Sequence, residues 1–148
     1  MQARATAANN RVIRTISTID LNEARHIVDE GIRIASTDGG KPVVVAVSDH
    51  NGDLVAFSRM DGAPVRSVTI ATNKAYTAAR TTSSTTALAK RLKDEGRDVL
   101  VYGDPRFSLF PGGTPVRRGE TVIGAVGISG RSAEEDQQLA DRIASLPA

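Results

Sequence analysis

The stretch Asp49-His50-Asn51-Gly52-Asp53-Leu54-Val55-Ala56-Phe57-Ser58-Arg59 reads as the turn and return strand of a β-hairpin. Before it stands Val43-Val44-Val45-Ala46-Val47, too short for a helix and strongly β-branched, the composition of a central strand covered on both faces. Asn51-Gly52 supplies residues that tolerate positive φ, so a two-residue hairpin turn is expected, with residues 54–59 running back antiparallel. The chain then turns through Asp61-Gly62-Ala63-Pro64 into a helix, Pro64 being suited to a first helical turn.

Upstream, Leu21, Ala24, Ile27, Val28, Ile32 and Ala35 fall on one helical stripe behind Asp20, an N-cap candidate with Glu23 three residues on. Asp38-Gly39-Gly40 ends that helix. Downstream, Val68, Ala71, Thr72, Ala75, Ala78 and Ala79 give the second helix a face of mostly small side chains. Ser84 or Thr85 caps a third helix that stops at Gly96. The remainder is strand-rich, with segments at 99–102, 107–110, 114–117 and 121–129. A last helix from Ser132 to about Leu146 carries Glu134, Glu135 and Asp136 in its first turn, which favour its positive end. The element order α-β-β-α-α-β-β-β-α points to an α+β fold with a central, mainly antiparallel five-stranded sheet flanked by helices.

Length and composition fit one domain, read here as residues 20–148 behind a flexible basic arm of residues 1–19. Arg4, Arg11 and Arg14 lie in that arm, which has no acidic residue, so the rest of the chain is close to neutral. It gives no charge argument for nucleic acid or membrane. With no cysteine there is no disulfide, thiolate nucleophile or zinc-thiolate site within the chain. No apolar run approaches a transmembrane span, and a cytoplasmic address is the default.

Four groups of residues could carry chemistry. Arg59, Arg66 and Lys74, with Asp61 and the first-turn N–H groups of the second helix, suit a carboxylate or phosphate. The competing structural reading pairs Arg59 with Asp61 and leaves Lys74 a solvated helix residue. Gly112-Gly113-Thr114 forms a loop that brings N–H donors and a hydroxyl close to a ligand, or else a plain hairpin connection. His26 lies off the apolar stripe of the first helix, exposed or facing a partner subunit. Glu134 and Asp136 serve as acid and base only if their environments separate their pKa values; helix capping is their ordinary use.

Five stretches in order resemble one family over residues 20–146: Val-Ala-Val-Ser-Asp with Gly-Asp-Leu-Val-Ala, Arg59-Met60-Asp61-Gly62-Ala63, Lys74-Ala75-Tyr76-Thr77-Ala78, Gly112-Gly113-Thr114-Pro115-Val116 and Ile123-Gly124-Ala125-Val126-Gly127-Ile128-Ser129-Gly130. They are similar to the GlcG/HbpS-like family, which takes in the protein of glycolate operons, an extracellular haem-binding accessory of a redox sensor and the C-terminal domain of some corrinoid adenosyltransferases. The resemblance implies homo-oligomers, often octamers, and haem or a related tetrapyrrole as ligand. In haem-binding relatives the iron ligand is placed on a Thr of the Gly-Gly-Thr-Pro loop or a His of the first helix, which here correspond to Thr114 and His26. Two functions follow: a haem-binding protein of sensing or degradation, with Arg59, Arg66 or Lys74 for propionates, or an enzyme on a small hydroxy or keto acid, with the basic groups clamping its carboxylate and Glu134 or Asp136 moving a proton.

Overall fold

Asp20 starts the first helix by accepting the Glu23 N–H at 2.8 Å in the computed structural model, which describes residues 11–147. Helix α1 (Leu21–Thr37) buries Ala24, Ile27, Val28, Gly31, Ile34 and Ala35, whereas Leu21, expected on that stripe, is 52% exposed. Asp38 ends the helix, as its sequence predicts.

Strands β1 (Val44–Asp49) and β2 (Leu54–Arg59) form the expected hairpin, but its loop differs. Asp49 N–H closes on Asp53 O at 2.8 Å, leaving a three-residue loop in which Gly52 alone has positive φ, at 93°. The Asp49 side chain is the reason: its carboxylate accepts the N–H groups of both Asn51 and Asp53, which holds the wider turn.

Helix α2 (Ser67–Thr81) begins three residues after Pro64, because residues 64–66 form a separate turn closed by Ser67 N–H on Pro64 O. Ser84 caps helix α3 (Thr85–Asp94) through the Ala87 N–H. Strands β3 (Gly113–Arg118) and β4 (Thr121–Ser129) form a second hairpin, and helix α4 (Ala133–Ala144) closes the chain behind a capping box of Ser132 and Glu135.

The sheet has four strands among the described residues, ordered β2-β1-β4-β3 and antiparallel throughout, so the five-stranded expectation is corrected. Residues 99–102 form a single 3-10 turn: the Asp98 carboxylate takes the Leu100 N–H, and Gly103, at φ 63°, closes it. Residues 107–110 are not in the ladder either; the Ser108 N–H is spent on Thr77 Oγ1.

Successive residues of β1 face opposite layers. Val43, Val45 and Val47 join α1 and α4 in the larger core, and Val44 and Ala46 meet Ala71 and Ala75 of α2. Gly127 lets α2 lie close on the sheet, since a Cβ there would sit 1.9 Å from Ala71 O. Ile19 ties the incoming chain to β4, its N–H on Ile123 O at 2.9 Å. Residues 1–10 of the expected arm lie outside the described residues.

Candidate functional site

Lys74 sits on the inner face of α2, where the small residues Ala71, Ala75 and Ala78 bring the helix against the sheet. Its side chain is 3% exposed, and its Nζ donates to Ile128 O at 2.8 Å and to Asp136 Oδ2 at 3.2 Å. The solvated reading of Lys74 is therefore overturned. Asp136 comes from the first turn of α4, and its Oδ1 accepts the Arg131 N–H at 3.0 Å. Burial depresses the Lys74 pKa and lifts that of Asp136, and their mutual attraction opposes both shifts.

This pair lines a cleft of about 230 Å³ with Arg66, Ser67, Ser129 and Gly130. Ser129 Oγ donates to Ser67 Oγ at 3.1 Å, both residues being buried. An apolar cleft of about 530 Å³ adjoins it, with Ile70 and Phe110 shared and Val99, Phe107 and Leu109 as further walls. The two adjoining clefts together are termed the groove, apolar at one end and polar at the other, beside α2, the segment 105–111 and the start of α4. That segment is held to α2 by the hydrogen bond of Tyr76 to Asp104 and by Arg106 stacked 3.8 Å over the Tyr76 ring. The Asp104 bond raises the Tyr76 pKa and lowers that of Asp104.

The other expected residues are dispersed. Arg59 and Asp61 are exposed, do not line the groove and make no ion pair with each other. Arg66 is exposed at the groove's lip. The N–H groups of Ser67 and Val68, expected to face a ligand, are spent on Pro64 O and Val65 O. Gly112 and Gly113 give their N–H groups to Gln137 Oε1 and Thr85 Oγ1. Their glycine identity serves close packing, because a Cβ at Gly112 would lie 2.8 Å from Lys74 Nζ and one at Gly113 2.5 Å from Lys74 O.

Thr114 Oγ1 donates to Asp141 and accepts from Gln137, on the α4 side of β3. His26 is exposed on α1, across the sheet from α2, without a hydrogen bond among the described residues. The three first-turn carboxylates of α4 divide their tasks. Glu134 is exposed, Glu135 completes the capping box, and Asp136 turns inward to Lys74. Gln137 and Ser67 were not singled out by sequence; Gln137 lies one residue past the acidic run, a position with no motif to mark it.

Among the described residues no group of three or more His, Asp or Glu is placed to hold a metal ion, and no helix is long and apolar enough to cross a membrane. A family model described as haem degrading protein HbpS-like matches residues 19–145. The 15.0 kDa protein of the dhaT-dhaS intergenic region of Citrobacter freundii is 35% identical over 131 residues, 85% of this chain and 89% of that one. The fold superposes on a double mutant of Streptomyces reticuli HbpS with a TM-score of 0.82 at 28% identity, covering 100% of this chain and 99% of that one. A PduOC:heme complex is similar at a TM-score of 0.76 and 25% identity, over 86% of this chain and 94% of that one. The match runs from the strand-tied Ile19 to the end of α4 and takes in every wall of the groove, and so the chain belongs to the HbpS-like family.

Proposed function

We propose that this chain is a homo-oligomeric ligand-binding protein, an octamer on the family pattern, whose ligand is haem or a related tetrapyrrole handled in sensing or degradation in the cytoplasm. The observation that carries the reading is the joined groove, in which an apolar space of about 530 Å³ opens on a polar one with a guanidinium at its lip. A tetrapyrrole is an apolar plate with acidic side arms, and such a groove complements both parts. The heme complex of the similar PduOC supports the ligand class.

The donor set of the groove bears on iron. Its apolar walls hold no imidazole, thiolate or thioether, so a side chain that would hold iron strongly would have to come from outside them. His26 is the better candidate, an exposed imidazole that a second copy could bring to the groove. The Thr114 hydroxyl is the weaker one, being already engaged by Asp141 and Gln137. Val65, Leu100, Val101 and Phe110, all more than half exposed, support self-association. Iron bound there would supply redox chemistry; the chain's own part is to exclude water and hold the acidic arms.

Titration of the purified protein with haemin tests this. A saturable Soret band that moves in His26→Ala supports the reading, and the absence of any saturable band rejects it. A second reading, an enzyme acting on a small hydroxy or keto acid, is favoured by one observation: the buried Lys74–Asp136 pair, with opposed pKa shifts, lines the polar cleft. In that reading Asp136 is the proton-moving group.

A further inference from the structure

We infer that the polar end of the groove is a carboxylate subsite built from Lys74, Ser67 and Arg66. The argument is an account of unspent hydrogen-bond donors. Lys74 is an ammonium with three N–H donors, and two protein acceptors, Ile128 O and Asp136 Oδ2, take two of them. The third has no acceptor among the described residues. Ser67 and Ser129 share one hydroxyl hydrogen bond and have no other acceptor there, so one hydroxyl proton of this pair is likewise unspent. Ser67 and Lys74 are each 2% exposed and both line the cleft, a burial at which an unused polar donor is costly.

Charge then selects the ligand. The Asp136 carboxylate is compensated by Lys74 and by the Arg131 N–H. The Arg131 guanidinium is committed to Asp38 at 2.6 and 2.8 Å, so its charge is compensated. Arg66 remains, with no acidic group within 4.0 Å among the described residues. The cleft thus offers one uncompensated positive charge at its mouth and two unspent donors at its floor, one of them on the charge-compensated Lys74. A planar anion with two oxygens, one for the guanidinium and one for the floor, satisfies all three. About 230 Å³ admits either a small free acid or the terminal acid arm of a larger ligand seated in the apolar end. The inference goes beyond haem binding, because it holds for either source.

Two titrations separate the sources. Haem-free protein is titrated with acetate and with lactate while the backbone amides of residues 67 and 130 are followed by NMR. Separately, haemin is compared with haemin dimethyl ester by Soret absorbance. Saturable amide shifts with the free acids, or haemin bound about tenfold more tightly than its diester, support the subsite, the tenfold being the worth of about one charge-assisted hydrogen bond. In either case the effect must be lost in Arg66→Gln, an exposed position whose change leaves the core intact. Acid binding without any haemin binding keeps the subsite and rejects the haem reading. Equal binding of haemin and its diester, with no amide shift from either acid, overturns the subsite and leaves the haem reading standing.

Discussion

Lys74 Nζ lies 3.2 Å from Asp136 Oδ2, with the two side chains 3% and 4% exposed, so the middle of α2 is joined to the first turn of α4 beneath the groove. Asp136→Ala removes the counter-charge and leaves an ammonium buried on one carbonyl. A loss of about 3–5 kcal/mol in urea denaturation is expected. Replacing both residues by Met and Leu should recover most of it, since a buried pair exchanged for apolar side chains is often neutral. A loss below about 1 kcal/mol for Asp136→Ala, the size of an exposed pair, would show that water reaches both groups.

Acid stability should depend on a different pair. Asp38 caps α1 and is held by the Arg131 guanidinium, which lowers its pKa from the ordinary 3.8. A carboxylate with a depressed native pKa adds stability above its unfolded value and loses it as pH falls through the native one. Unfolding free energy of the native chain should therefore decline as pH drops below 3.8. Asp38→Asn should flatten that part of the decline. An identical acid slope in the two proteins would place the titrating group elsewhere.

Gly127 controls how closely α2 approaches the sheet. In Gly127→Ala the new Cβ meets Ala71 O at 1.9 Å and Ala75 N at 2.7 Å, both backbone atoms that no rotamer change can move. A cost of about 3 kcal/mol, at the upper end for overpacking, is expected in thermal or urea unfolding. Gly39→Ala is the control: nothing lies within 4 Å of its Cβ, and only the positive φ of 76° penalises it, at about 1 kcal/mol.

Much of this architecture is legible in the chain, and the failures have physical causes. Asp20 with Glu23, and Ser84, mark helix starts because capping chemistry is local, and both side-chain oxygens do cap; Ser132, read only as the start of the last helix, caps it as well. The Asn51-Gly52 signal places the hairpin correctly, but the neighbouring Asp49 carboxylate widens its loop. Residues 99–102 have strand composition, yet Asp98 and Gly103 close them into a turn before they can extend.

Site residues are harder to read because their burial is tertiary. A lysine on a helix is ordinarily solvated, and nothing in the spacing of Lys74 says that Asp136, 62 positions on, will meet it. By sequence Glu134, Glu135 and Asp136 are alike, three carboxylates in one first turn, and it is the structure that gives Glu135 to the capping box. Only the fold turns Asp136 inward and Glu134 out.

Haemin titration of Ile70→Glu beside the unaltered chain tests the central claim most directly, because half-buried Ile70 lines both ends of the groove and its charge would occupy the floor without disturbing the core. The account predicts a saturable Soret band for the unaltered protein and affinity weakened at least about tenfold, a loss near 1.4 kcal/mol, in Ile70→Glu. Equal affinity in the two proteins, or no saturable band in either, would contradict it.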